Sequence, residues 1–216
     1  MFYRPGIDRH GLPHNPFNAL VAPRPIGWIS TLDREGKPNI GPYSFFNAVS
    51  YTPPQVIFSG GPRPEPQAGE DWSRKDSVTN VEATGDFVVN VCTWDLREAM
   101  NRTSVEAPPD FDEFAHAGLT TAPSEVVKAP RIAEAKIHLE CAYLQSVTLK
   151  ALEGHGPNVI VVGEVVGIHI DDSVLTDGIV DAARLKQVGR LGYMDYCVVD
   201  EVFQMRRPRW PDDAEG

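Results

Sequence analysis

Short apolar runs separated by turn residues dominate the chain, and they predict a protein built mainly of β-strands. Compact apolar runs cover 55–59 and 87–91, and two long runs, 137–149 and 159–172, are rich in β-branched residues that suit strands better than helices. Gly163 and Gly167 interrupt the second long run and predict a bend or bulge. The many short strands indicate a β-barrel.

Turns and short helices are predicted between these strands. The turn at 33–36 ends in glycine and joins two extended segments, which predicts a hairpin. Asp76 is expected to cap a short helix that ends at Gly85, and Asp95 to cap a second short helix through Met100. Further helical turns are expected at 112–117 and 181–185, followed by short strands at 193–199 and 202–205. No strand–helix alternation and no G-x-G-x-x-G motif is present, so a β-barrel with helical insertions is preferred to a doubly wound fold.

Composition narrows the class of function. The 216 residues carry 20 basic and 30 acidic side chains, a formal charge of −10, which argues against sequence-independent nucleic acid binding. No apolar run approaches the roughly 20 residues that cross a membrane, and no secretory signal is visible. Three separated cysteines without a CxxC motif suit buried thiols in the cytoplasm. We expect a single domain over 1–205 and an Arg/Pro/acidic tail over 206–216.

Small polar groups and aromatic rings share the first hairpin. Phe45 and Phe46 are adjacent in an extended segment, so their rings point to opposite faces. One ring can therefore enter the core while the other borders a cleft. A flat heteroaromatic ligand needs such a mixture of apolar wall and placed hydrogen-bonding groups. Those groups are Ser30, Thr31, Ser44, Asn47 and Ser50. The alternative is that these side chains only satisfy buried backbone groups.

Two further segments carry positive charge beside backbone N–H groups or glycines. Lys75 directly precedes the predicted helix, where a point charge and free N–H groups together can hold a phosphate, with Ser77 facing the anion and Asp76 orienting the turn. Arg190 lies between Gly189 and Gly192, which suits a loop that closes over a site. A surface lysine beside an ordinary cap, and a simple turn, are the respective alternatives.

Together these segments resemble the flavin reductase-like family of FMN-binding split-barrel proteins. The resemblance runs from about Ala22 to about Tyr196, and four stretches carry it: R-P-I-G-W-I-S-T at 24–31, N-x-x-P-Y-S-F-F-N-A-V-S at 39–50 with Pro53-Pro54, K-D-S-V-T-N at 75–80, and G-D-F-V-V-N at 85–90. The family often has threonine where this chain has Ser77, a change that keeps the hydroxyl.

The resemblance implies a six-stranded antiparallel split β-barrel with short helical insertions, a homodimer, and one FMN per subunit near the dimer interface. It also implies hydride transfer from NADH or NADPH, with electrons passed on to an unknown acceptor. The flavin carries the chemistry, so neither a catalytic side chain nor a metal is required. The residues expected around FMN are Ser30, Thr31, Ser44, Phe45, Phe46, Asn47, Ser59, Lys75, Asp76, Ser77, Asn80 and Arg190. The loop 60–74 is expected to cover the neighbouring subunit or to gate the nicotinamide.

Two alternatives to a flavin-dependent oxidoreductase remain open from the sequence. One is a non-catalytic carrier that keeps FMN bound and shuttles electrons. The other is a β-barrel binding protein without flavin.

Overall fold

A seven-stranded antiparallel sheet forms the centre of the protein, which the computed structural model describes over residues 1–63, 74–108 and 110–210. Its strand order is β3-β2-β6-β9-β10-β5-β4. The strands are β2 (Gly27–Leu32), β3 (Pro38–Tyr43), β4 (Phe46–Tyr51), β5 (Pro54–Gly60), β6 (Asp86–Val91), β9 (Ile137–Thr148) and β10 (Val159–Ile170). The mainly β barrel expected from the sequence is therefore confirmed, with seven strands in this sheet where six were expected.

The sheet closes on itself because its two edge strands follow one another in the chain. β3 and β4 are separated by the bend at Ser44 and Phe45 alone. At this bend the backbone N–H of Ser59 in β5 donates to the carbonyl of Phe45 at 2.8 Å, and the Tyr43 ring lies 4.9 Å from the Phe58 ring, centroid to centroid. Closure places the end of β3 beside the end of β5.

Smaller elements surround the barrel. The short strands are β1 (Arg24–Pro25), β7 (Thr121–Ala122), β8 (Arg131–Ile132), β11 (Leu175–Thr176), β12 (Ile179–Val180), β13 (Val188–Arg190) and β14 (Tyr196–Val198). The α-helices are α1 (Phe17–Leu20), α2 (Asp76–Thr84), α3 (Arg97–Arg102), α4 (Glu113–Ala117) and α5 (Ala182–Leu185), with 3₁₀ turns at Trp94–Leu96 and Asp172–Val174. β1, β13 and β14 form a separate three-stranded sheet. None of the helices in the described ranges is long and apolar enough to cross a bilayer.

The two faces of β2 serve two different apolar clusters. Ile29 packs inside the barrel with Phe58, Phe87 and the apolar side of α2. Trp28 points the other way, into a cluster with α3 and α4. Because successive side chains of a strand alternate between faces, Ser30 follows Trp28 outward and Thr31 follows Ile29 inward.

Several local expectations are confirmed. The pairing of β9 and β10 shifts register between Val162 and Gly163 and again between Val165 and Gly167, as the two glycines predicted. The helical turns expected at 112–117 and 181–185 are α4 and α5, and the structure shows that Asp112 and Asp181 cap them by accepting backbone N–H groups. Cys92 and Cys141 are buried free thiols, whereas Cys197 is half-buried.

Three local expectations are wrong. Asp95 caps no helix, because it lies inside the 3₁₀ turn Trp94–Leu96, and Leu96 occupies the N-cap position of α3. Residues 202–205 form no strand and their side chains are exposed, because no neighbouring strand pairs with them in the described structure. Asp76 does not cap α2: Lys75 occupies the N-cap position without a side-chain cap, and Asp76 is the first helical residue. The carboxylate of Asp76 instead forms an ion pair with Arg63, which the loop brings to the helix start.

Candidate functional site

The start of α2 leaves backbone donors open. Val78 N and Thr79 N donate to the Lys75 carbonyl at 3.0 and 3.2 Å, while the N–H groups of Asp76 and Ser77 have no hydrogen-bond partner within the described chain. Because aligned peptide dipoles leave partial positive charge at a helix N-terminus, these two N–H groups favour an anion.

A cleft of ≈ 600 Å³ opens in front of this helix start. β3, the start of α2 and the segment that follows α3 supply its walls. Its lining comprises Asn39, Ile40, Gly41, Pro42, Tyr43, Arg63, Lys75, Asp76, Ser77, Thr103, Ser104, Val105, Glu106, Ala107, Pro108 and Glu113. The volume lies within the range typical of small-molecule sites, about 300–1,000 Å³.

Both basic side chains of the cleft face carboxylates. Lys75 Nζ lies 3.8 Å from Glu106 Oε1, and Arg63 pairs with Asp76. The Lys75–Glu106 contact is long, and the Glu106 side chain is 63% exposed, so water competes for it. The Lys75 ammonium can therefore leave Glu106 for a ligand that carries more negative charge than one exposed carboxylate.

A hydrogen-bonded chain forms the floor of the cleft. Ser77 Oγ donates to Asn39 Oδ1 at 3.0 Å, and Asn39 Nδ2 donates to Glu113 Oε2 at 3.2 Å. Asn80 Nδ2 donates to Thr31 Oγ1 at 3.1 Å, and Thr31 Oγ1 lies 3.4 Å from Asn39 Oδ1. The hydroxyl protons of Thr31 and Ser77 are thus used within the protein, so these groups hold α2 against β2 and β3.

Burial tunes two titratable groups at the cleft. It raises the pKa of Tyr43 to about 12, an effect that the hydrogen bond with Ser77 partly offsets, so the phenol stays neutral. Burial also raises the pKa of Glu113 above its usual value, against the lowering effect of its hydrogen bonds to the backbone and to Asn39.

The bend between β3 and β4 follows directly on Tyr43, the last residue of β3 that lines the cleft. The Phe46 ring points into the barrel, where a Cβ added to Gly27 would lie 2.6 Å from it. Phe45 points out and is 38% exposed, and Asn47 is exposed with its Oδ1 accepting from Ala48 N at 3.0 Å. The two rings therefore divide between core and surface as expected from their alternation.

Ser59 presents a hydroxyl next to this bend. Its Oγ is buried without a hydrogen-bond partner among the described residues. An unpaired buried hydroxyl costs about 1–3 kcal/mol, so a ligand that paired with it would recover this cost. Its neighbour Gly60 adjoins both Tyr43 and Lys75, because a Cβ added there would lie 3.5 Å from the Tyr43 ring and 3.9 Å from Lys75 Cβ.

Of the twelve residues predicted around FMN, Lys75, Asp76 and Ser77 belong to the cleft lining. Ser30 and Arg190 are among the nine that do not. Ser30 is on the outward face of β2, where its Oγ donates to the Pro130 carbonyl at 2.5 Å and accepts from Asn90 Nδ2 at 3.0 Å. Arg190 is in β13, directly opposite Arg24 of β1. Most of the predicted loop 60–74 (residues 64–73) lies outside the described residues.

Thirteen of the sixteen residues that line the cleft are absent from the prediction made on sequence, and four of these thirteen make the polar contacts described above. They are Asn39, Arg63, Glu106 and Glu113. Asn39 belongs to the motif at 39–50, and Arg63 to the long loop expected to be functional. Glu106 and Glu113 lie beyond α3 in the chain, and no local sequence pattern marks them as site residues. They reach the start of α2 only when the chain folds.

These features fit a flavin mononucleotide-type ligand. Its phosphate needs a cation and N–H donors, which Lys75 and the start of α2 supply, and its ring needs an exposed aromatic wall, which Phe45 supplies. The unpaired Ser59 Oγ adds a hydroxyl between these two parts. The barrel and the cleft together define a β-barrel with a candidate site for a phosphate-bearing aromatic ligand.

The chain belongs to the flavin reductase-like family, because residues 20–189 match the flavin reductase like domain. An uncharacterized protein of Aquifex aeolicus is 40% identical over 174 residues, which cover 80% of this chain and 83% of that protein. Nitrilotriacetate monooxygenase component B from Bacillus cereus has a similar structure, with a TM-score of 0.84, 29% identity, and coverage of 95% of this chain and 98% of its own. Flavoredoxin of Desulfovibrio vulgaris (TM-score 0.72, 20% identity, 92% and 97% covered) shares the fold. The family supports a flavin as the cofactor.

Proposed function

We propose that this protein binds FMN and transfers hydride from NADH or NADPH to the flavin, from which electrons pass to an acceptor. One observation carries this proposal: a cleft of ≈ 600 Å³ combines Lys75 with the open start of α2 and is lined by β3 up to Tyr43, directly before the bend at Ser44 and Phe45. Membership of the flavin reductase-like family and the likeness to a monooxygenase component support the oxidoreductase class.

Lys75 and α2 hold the phosphate end in this proposal. The Lys75 ammonium exchanges the exposed Glu106 carboxylate for phosphate oxygens, and the N–H groups of Asp76 and Ser77 donate to the same anion. Arg63 neutralises Asp76 and so keeps its carboxylate from repelling the phosphate. The side chains of Ser77, Thr31 and Asn80 do not contact the phosphate in this proposal. Their hydrogen bonds hold α2 in place against β2 and β3.

The bend between β3 and β4 places the ring end. Phe45 supplies an apolar wall, Ser44 and Asn47 supply polar groups beside it, and the free hydroxyl of Ser59 donates to the ligand. When bound, FMN supplies the hydride-accepting centre. The protein's part is placement and charge, so no side chain has to act as a general acid or base.

We also propose that the protein is a homodimer that works in the cytoplasm. Exposed apolar side chains on β4 and β10, namely Val49, Tyr51, Val166, Ile168 and Ile170, offer a surface for a second copy. The buried free thiols of Cys92 and Cys141 suit a reducing compartment.

Comparison of FMN with riboflavin, which lacks the phosphate, tests the binding mode. Replacing Lys75 by methionine keeps the apolar stem and removes the charge, so we expect FMN to bind about 10- to 100-fold more weakly, the effect of one charge-assisted hydrogen bond, and riboflavin to bind unchanged. Titration of flavin-free protein followed by fluorescence quenching measures both. Lys128→Met is the matched control, because Lys128 is an exposed lysine distant in sequence from the cleft. Equal FMN affinity in Lys75→Met and the parent would reject the phosphate assignment.

Steady-state oxidation of NADH and of NADPH by the FMN-loaded protein then tests the reaction. Turnover with free flavin as acceptor supports a reductase. A loaded protein that oxidises neither nucleotide, yet exchanges electrons with an added reductase, is the carrier that the sequence left open. A protein that ignores FMN contradicts both.

A further inference from the structure

Two arginines face each other at the side of the barrel. Arg24 in β1 and Arg190 in β13 are direct partners in an antiparallel pair. The Arg24 guanidinium lies 5.7 Å from the centre of the Phe45 ring, so the pair adjoins the bend that walls the proposed flavin site. The cleft at α2 does not include either arginine.

Neither arginine has an acidic partner in the described structure. Arg24 is only 8% exposed, and its guanidinium donates to the carbonyls of Asn18, Val21 and Leu191. Arg190 donates to the Tyr193 carbonyl and the Tyr196 hydroxyl. Carbonyl and hydroxyl dipoles satisfy donors but carry no net negative charge, so two like charges remain side by side.

A donor is also left open within the pair. Arg24 Nε is buried and has no hydrogen-bond partner in the part of the chain that the structure describes. Burial and the charge of Arg190 both lower the pKa of Arg24, which reflects the cost of this arrangement. An anion bound between the two guanidinium groups would pair with Nε and offset the repulsion.

Aromatic side chains surround this positive pair. The Arg190 guanidinium stacks 4.4 Å from the centre of the Tyr196 ring, and the Phe45, Tyr193 and Tyr196 rings are all exposed. Exposed rings beside arginines suit a ligand that has both a planar base and a phosphate. Nucleotides have this combination.

We propose that Arg24 and Arg190 form a second anion site, which binds a phosphate ester of the nicotinamide dinucleotide while a planar ring of the dinucleotide rests on Tyr193 and Tyr196. This inference rests on the proposed function, because the dinucleotide is its hydride donor. The site lies across the bend from Lys75, so the phosphates of the two nucleotides occupy different cation sites.

Binding of nucleotide fragments that cannot transfer hydride tests the site without any turnover. We expect 2′,5′-ADP or ADP to bind the FMN-loaded protein in calorimetric titrations, and Arg190→Gln to weaken that binding about 10- to 100-fold. Arg34→Gln, which removes the same charge from an exposed turn, should change it less than twofold. Preference for 2′,5′-ADP assigns the site to a 2′-phosphate, and equal binding of ADP assigns it to the pyrophosphate.

Arg24 calls for a conservative substitution, because its guanidinium donates hydrogen bonds to three backbone carbonyls. Arg24→Lys keeps the charge but loses the planar fork, and we expect it to weaken the same fragment at least fivefold with an unchanged FMN affinity. The proposal is overturned if neither fragment binds the parent protein, or if Arg190→Gln and Arg34→Gln bind both fragments as the parent does. Repeating the titrations without flavin separates this proposal from the proposed function. If the fragments bind in an Arg190-dependent way to a protein that does not bind FMN, the second anion site stands although the FMN proposal fails.

Discussion

Glu140 in β9 is a buried carboxylate whose role in stability can be worked out from its contacts. It is fully buried and accepts the backbone N–H groups of Glu125, Val126 and Val127 at 2.8, 2.6 and 3.0 Å. His169 Nε2 lies 2.5 Å from Oε1 of the Glu140 carboxylate. Glu140 therefore ties the segment before β8 to the outer face of the barrel.

The pKa of Glu140 gives the size of this contribution. Burial raises the pKa, but the backbone N–H groups and His169 outweigh burial and lower it from 4.5 to about 2. Since one pH unit of difference is worth about 1.4 kcal/mol, ionised Glu140 contributes ~3 kcal/mol to the free energy of unfolding. The pKa is lower in the folded state, so this contribution is complete above about pH 4.5 and is lost as the pH falls toward 2.

Urea unfolding between pH 7 and pH 2.5 measures this loss. Glu140→Gln keeps the shape but removes the charge, and we expect it to lower the free energy of unfolding at pH 7 by ~2–3 kcal/mol and to flatten the acid dependence. Glu134→Gln is the control: its exposed carboxylate accepts one backbone N–H, that of Thr120, and its loss should cost less than about 1 kcal/mol.

A parent protein whose stability stays constant from pH 5 to pH 2.5 would refute the reasoning. So would a Glu140→Gln variant as stable as the parent at pH 7. If the variant does not fold, the acid titration of the parent still decides the question.

Two further substitutions test the cleft and the barrel. Glu106→Gln removes the carboxylate that lies 3.8 Å from Lys75, so FMN should bind about two- to fivefold more tightly in a fluorescence titration, the scale of an exposed ion pair; weaker binding would contradict this competition. Gly163→Ala places a Cβ 2.5 Å from the Phe87 ring, and we expect its urea midpoint to report a loss of ~1–3 kcal/mol. Gly61→Ala, whose Cβ meets nothing closer than 3.5 Å, should lose much less, and an equal loss would show that the contact with Phe87 is not the cause.

The sequence by itself determined the features that depend on neighbouring residues. The β-branched run became β10, and Gly163 and Gly167 became its two register shifts, because strand propensity and bulges are local properties. Lys75 at the start of α2 was also predictable, since a helix start follows from a few adjacent residues. The motifs at 24–31 and 39–50 were sufficient to identify the family and the split barrel.

Tertiary structure decided which side chains of those motifs meet. Ser30 and Thr31 are adjacent in sequence, but alternation sends Ser30 outward to Pro130 and Thr31 inward to Asn80. Arg24 and Arg190 are 166 positions apart in the chain and become direct partners through the register of β1 and β13. Strand register depends on pairing between distant segments. Asp76 looked like a cap because local pattern cannot show that Arg63 reaches it. Contacts between distant segments form only when the barrel closes, so their partners could not be predicted from local composition.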